Sequence, residues 1–202
     1  PVYATGFAKS LIENRLKEFG FLKKIKLIKI NPKKNIKLKN FDLNFISTAH
    51  SIPEPYAIEI NTKYGRLLHT ADWKLDKATT LGGDFDEDYF KKIGNEGVLA
   101  LIGDSTNADV PGFSKSESEV GEELIKVFSR YNHRIVITCF SSNIARMESI
   151  GIAAKKNNRK VALVGRSMKK TIEAAIKNNI INENPNFISE EEASLIPREN
   201  LV

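Results

Sequence analysis

The hydrophobic pattern changes character near residue 97, and that change constrains the fold more than any other feature of the chain. Before it, apolar residues come in short, nearly alternating runs: Ile25, Leu27, Ile28 and Ile30, then Ile36, Leu38, Phe41, Leu43 and Phe45. Such runs suit antiparallel strands with one wet face. At the change, Val98-Leu99-Ala100-Leu101-Ile102 is continuously apolar, as in a strand covered on both faces. From residue 116 on, helical and strand periods alternate. That alternation builds a parallel sheet with crossover helices. The chain therefore reads as α/β in two parts.

The elements follow from the same periods. Phe7, Leu11, Ile12, Leu16 and Phe19 mark one face of a helix over 7–19, with Gly20 as its stop. Asn31-Pro32 marks a turn between strands. The runs 56–60 and 66–69 flank Asn61-Thr62-Lys63-Tyr64-Gly65, a hairpin signature. A short helix is expected over 84–96. In the second part the expected order is helix 117–130, strand 134–140, helix 143–157, strand 160–164 and helix 167–179. Pro111-Gly112, among small polar residues, places a boundary at 108–116. The expected domains are 1–112 and 113–202.

Lys and Arg number 31 against 25 Asp and Glu, a formal net charge of +6. That surplus favours polyanions. Residues 21–40 carry eight lysines and no acid. Two readings stay open there, a solvated lysine-rich edge or contact with phosphates. The one cysteine, Cys139, excludes an internal disulfide framework and fits a reducing, cytoplasmic compartment. Its run, Ile135–Phe140, makes it a packed strand residue. No run reaches the ~20 apolar residues of a membrane span, so no membrane partner is expected. The chain opens at Pro1 without an initiator methionine and closes on Asn200-Leu201-Val202; both ends read as cut.

The residues with chemical potential sit at strand ends. His50, in Ser47-Thr48-Ala49-His50-Ser51-Ile52-Pro53-Glu54-Pro55-Tyr56, ends one strand. Its neutral imidazole is placed to hold a divalent metal, or simply to make hydrogen bonds within a loop. Asp72, in His69-Thr70-Ala71-Asp72-Trp73, ends another. It could bridge two cations or cap a turn. Asp104 follows the apolar run 98–102, where ligand sites of open α/β sheets lie. It could orient a histidine or a water, and it suits an Asx turn equally well. Phe140-Ser141-Ser142-Asn143 precedes a helix, so its amides and hydroxyls could hold a phosphate, with Arg146 assisting. Ordinary capping by Ser142 explains the same residues. Gly165-Arg166-Ser167 repeats that arrangement more weakly. His69 reads as packed within its strand, and His133 has no identifiable partner.

Taken together, the runs Thr48–Tyr56, His69–Asp76, Asp104–Phe113, Phe140–Arg146 and Arg159–Met168 resemble the ribonuclease J family, in the β-CASP branch of the metallo-β-lactamase superfamily. The resemblance covers nearly the whole chain in order and spacing. It implies a partial metallo-β-lactamase αββα sandwich followed by the first part of a Rossmann-like β-CASP domain. It implies that His50 is a ligand of one of two divalent ions, zinc first, with manganese or magnesium as alternatives. Asp72 would bridge both ions, and Asp104 would support the catalytic histidines. Ser141, Ser142 and Asn143 would hold an RNA phosphate. The implied activity is metal-dependent hydrolysis of RNA, from the 5′ end or internally, by a homodimer or homotetramer. Two further readings remain: a nucleic-acid-binding module without catalysis, and a small-molecule hydrolase. The family's His-x-His-x-Asp-His cluster and its late motifs are absent. The chain is therefore expected to be the middle of such an enzyme and inactive alone.

Overall fold

The structure is a computed structural model that describes residues 1–76, 78–81, 83, 85–181 and 187–202. It divides into two compact units, residues 1–50 with 54–114, and residues 51–53 with 115–202.

The first unit begins with β1 (Val2–Ala4), α1 (Gly6–Glu18) and β2 (Leu27–Lys29). β1 and β2 pair in parallel, which corrects the expectation of antiparallel strands throughout this part. The reason is α1: a helix between two strands returns the chain to the end it started from. Thr5 caps α1, its hydroxyl accepting from the Ala8 amide. Gly20, at φ 70°, ends it. The Gly20 amide donates to the Lys17 carbonyl and the Phe21 amide to Leu16, the two bonds of a Schellman cap.

A five-stranded mixed sheet follows, in the order β3 (Ile36–Lys37), β4 (Phe41–Ser47), β5 (Tyr56–Thr62), β6 (Gly65–His69), β7 (Ala100–Ile102). β3 to β6 are antiparallel, and β5 and β6 form the expected hairpin. β7 joins β6 in parallel, after α2 (Glu87–Glu96). Ile46, Ala57 and Leu68 share one sheet face and bury against Ile93 of α2. Glu59 lies on the same face and is 2% exposed. Its carboxylate accepts from the Asn44 amide at 2.7 Å and the Tyr89 hydroxyl at 2.8 Å. Arg66 Nε stands 2.6 Å from it. That N–H is poorly aligned, so the contact is ionic rather than a hydrogen bond. The apolar run at β7 is not covered on both faces as expected: Leu99 and Leu101 are 64% and 65% exposed. β7 is the sheet's edge strand, and α2 covers the strands beside it.

The second unit opens with α3 (Glu117–Phe128), started by a capping box in which Ser116 and Glu119 satisfy each other's amides. α4 (Ile144–Lys156) packs against it. Phe128, Ile150, Ala153, Ala154 and Val161 form the core. β8 (Val161–Ala162) pairs in parallel with β9 (Phe187–Ile188), and α5 (Arg166–Lys177) lies between them in sequence. On the other side of β8, Leu201 bridges Lys160 in parallel. The short α6 (Glu190–Ser194) completes the unit.

The expected strand 134–140 is absent. Among the described residues, that segment makes one backbone bond to the sheet, Ile135 N–H to the Leu201 carbonyl. Its apolar residues still pack: Ile135, Ile137 and Cys139 lie against the core. Apolar alternation thus places side chains here without completing a ladder. Burial pushes the Cys139 thiol up, and Arg146 opposes that weakly.

Candidate functional site

Three chain segments meet beyond the ends of β4, β6 and β7. Past the end of β4, Ala49 forms an isolated antiparallel bridge with Lys74, in the segment after β6, and the Lys74 amide donates to the Ala49 carbonyl at 2.8 Å. The antiparallel sense of that bridge brings Trp73 and Asp72 toward the same end as His50. Asp72 is exposed and His50 half-buried. Between β6 and Asp72, Ala71 takes φ 53°, a left-handed conformation that alanine rarely adopts. Its amide donates to His69 Nδ1 at 3.0 Å. His69 is therefore an exposed strand-end acceptor, not the packed strand residue expected.

The third segment is tied to the second by side chains. The Asp104 amide donates to Thr70 Oγ1 at 3.1 Å, and the Thr70 hydroxyl donates to the Ala71 carbonyl at 2.8 Å. The indole N–H of Trp73 donates to the Asp104 carbonyl at 3.1 Å. Asp104 Oδ1 accepts from the Thr106 amide and hydroxyl at 3.0 and 2.6 Å, which is the Asx turn weighed above. The Thr106 hydroxyl and then its amide hold the Asp104 carboxyl below its ordinary value, and the charge of nearby His50 acts in the same direction. Asp104 is thus both a turn residue and an electrostatic neighbour of His50. The tethers from Thr70 and Trp73 carry no sequence motif, because a threonine and an indole become clamps only once β6 and β7 pair.

The junction before α4 lies in the second unit. Asn143, not Ser142, caps the helix, its Oδ1 accepting from the Arg146 amide at 2.8 Å. Adjacent residues both suit a cap, and the backbone angles decide between them. The Ser142 carbonyl accepts from the Ile144 amide, and the Phe140 carbonyl from the Asn143 amide. Ser141 is half-buried and Ser142 exposed. Arg146 is neither in solvent nor free for phosphate: its guanidinium grips Glu117 through two bonds of 3.2 and 3.1 Å. Arg166 begins α5 and is exposed. Arg159 is buried and donates to the main-chain carbonyls of His133, at 2.9 Å, and Tyr131.

Among the described residues, no group of three or more His, Cys, Asp or Glu side chains is arranged to hold a metal ion. A zinc site takes three or four protein ligands. His50 and Asp72 are two, so this donor set does not fit a complete metal centre.

The family model for the ribonuclease J β-CASP domain matches residues 132–202. The chain is 38% identical to ribonuclease J of Sinorhizobium meliloti over 202 residues, all of this chain and 36% of the relative. It is 40% identical to ribonuclease J 1 of Streptococcus pyogenes over 172 residues, 85% of this chain and 30% of that one. It is 33% identical to ribonuclease J2 of Bacillus subtilis over 203 residues, 100% of this chain and 37% of that one. Along its length the chain is similar to part of the ribonuclease J proteins, and residues 132–202 match their β-CASP domain. It spans about a third of the length of these relatives. A solved protein of unknown function from Enterococcus faecalis shares the fold, with a TM-score of 0.67 at 15% identity, over 100% of this chain and 52% of that one. The ribonuclease J β-CASP match includes the Asn143 cap, the Arg146–Glu117 clamp on its α4 side, and the buried Arg159. No helix among the described residues is long and apolar enough to cross a membrane.

Proposed function

We propose that the chain is the central part of a metal-dependent ribonuclease that hydrolyses RNA phosphodiester bonds in the cytoplasm, from the 5′ end and internally. In this reading the five-stranded sheet with α2 is part of a metallo-β-lactamase sandwich, and the second unit opens a β-CASP domain. The observation that supports it is the corner where the ends of β4, β6 and β7 converge, carrying His50, Asp72 and Asp104 in a chain aligned end to end with ribonucleases J. His50 and Asp72 would be two of the ligands for a pair of divalent ions, zinc with manganese or magnesium as alternatives. Such a pair supplies Lewis acidity and an activated water for phosphodiester hydrolysis. Asp104, fixed by Thr70, Trp73 and Thr106, would orient a neighbouring histidine. Ser141, Ser142 and Asn143 would contact an RNA phosphate, and the intact enzyme would be a homodimer or homotetramer. With two ligands, the chain alone is expected to hydrolyse RNA negligibly.

The test is a chimera. The 202-residue segment replaces the matching stretch of Sinorhizobium meliloti ribonuclease J, and cleavage of 5′-labelled RNA is followed. The chimera should cut, and Asp72→Ala should lower the rate by a hundredfold or more. A folded chimera that leaves RNA intact, or one indifferent to Asp72→Ala, would refute the reading.

A further inference from the structure

We propose that the connection from the end of α1 into β2 is a second contact surface for single-stranded RNA, remote from the His50 corner; this rests on the RNA reading above. Residues 15–39 hold ten basic side chains and one acid, Glu18, and Glu18 pairs with Arg15 at 3.2 Å. All eight lysines of 21–40 are exposed, and none is ion-paired with another described residue. A neutral surface would intersperse the two signs. This one concentrates a single sign.

Charge alone would suit any polyanion. The aromatics narrow it. The Schellman cap at Gly20 holds Phe19 and Phe21 on either side of the turn. In that motif the residue after the glycine often packs back on the helix. Here Phe21 stays 46% exposed and Phe19 59%. The Arg15 guanidinium lies 4.8 Å from the Phe19 ring centre and Lys24 Nζ 5.2 Å from that of Phe21. Exposed rings under cations, flanked by Lys23, Lys24 and Lys26, are the parts of a stacking platform: rings for bases, ammonium groups for phosphates.

The position suits a guide surface. At the other end of α1, the Phe7 amide donates to Glu54 at 2.8 Å, and Glu54 belongs to the loop that follows His50. The helix has 13 residues, so the platform lies about 20 Å along it from that loop. A strand of several nucleotides spans such a distance.

The experiment uses the 202-residue chain with a fluorescein-labelled 12-nucleotide RNA, in EDTA to prevent hydrolysis. Anisotropy is read across a salt series. The triple variant Lys23→Gln/Lys24→Gln/Lys26→Gln should reduce the slope of log K against log salt by about 2, at about 0.7 per phosphate contact on a single strand. Phe21→Ala should weaken binding about tenfold with the slope unchanged. The control Lys91→Gln/Lys92→Gln, which removes two lysines from α2, should change neither. Melting curves confirm folding. Unchanged binding by the triple variant, or an equal loss from the α2 control, overturns the proposal. A silent Phe21→Ala also overturns it, in favour of a generic polyanion such as an acidic protein. Failure of the chimera to cut leaves these outcomes untouched, because no step here involves hydrolysis.

Discussion

Replacing Glu59 by alanine should destabilise the first unit by about 3 kcal/mol. The carboxylate is 2% exposed and serves Asn44, Tyr89 and Arg66 at 2.7, 2.8 and 2.6 Å. Removing one partner of a buried ion pair costs about 3–5 kcal/mol. Hydrogen bonds to a charged group contribute about 1.5–3 kcal/mol each. Those figures do not simply add here, because Arg66 is not abandoned. It keeps Glu96 at 2.7 Å and the Ile93 carbonyl at 3.3 Å. That retained pairing places the cost at the low end of the range. Urea unfolding followed by circular dichroism measures it. With a slope of about 2 kcal/mol per molar, the first-unit midpoint should fall by about 1.5 M. Glu59→Gln keeps an acceptor and should lose less. A double-variant cycle with Arg66→Ala isolates the ionic part. A loss below about 1 kcal/mol for Glu59→Ala would refute the reasoning, because the buried donors would then have found other partners.

The same cluster contributes to the pH dependence of the first unit at both ends. Burial pushes the Glu59 carboxyl up, but the bonds from Asn44, Tyr89 and Asn61 and the charge of Arg66 outweigh it, and the net shift from 4.5 is downward. Its stabilisation is therefore complete above 4.5 and should fade as pH drops through the lowered value. The Tyr89 hydroxyl is pushed up to about 12, by burial first and then by Glu59; its contribution is complete below 10 and should be lost between there and about 12. Thermal melts across pH, compared with Tyr89→Phe, check both arms. Ala71→Gly should leave stability unchanged or raise it by up to about 1 kcal/mol, since glycine relieves a left-handed strain that alanine bears; a loss above that size would contradict it. Isothermal titration of the chain with Zn²⁺ or Mn²⁺ should show dissociation constants weaker than micromolar, and submicromolar binding would contradict the two-ligand count.

What the sequence disclosed was whatever depends on near neighbours. The helix starting near Phe7 and stopped at Gly20, the hairpin at Asn61–Gly65 and the helix that opens at Glu117 are set by residues within a few turns of each other, and all form. What it hid depends on partners far along the chain. Residues 135–140 are mostly apolar, yet a strand needs a neighbour along its full length, and among the described residues Leu201 supplies one bond. The run at β7 is apolar on both faces, but cover is a property of the opposing layer. At the site, His50, Asp72 and Asp104 stand out as polar residues at strand ends. The threonine and indole that bind their loops together do not, because their donors and acceptors are backbone groups brought close only by the sheet. Arg146 misled for a related reason: its partner Glu117 is on another helix.

The molecule has one indole, and its N–H is spent on the carbonyl of Asp104. Tryptophan emission, excited at wavelengths beyond the absorption of the five tyrosines, is therefore a local signal with a single origin. Anything that loosens the loop after β7 releases that hydrogen bond and alters the fluorophore's surroundings, so the state of this corner can be followed in real time without attaching a label.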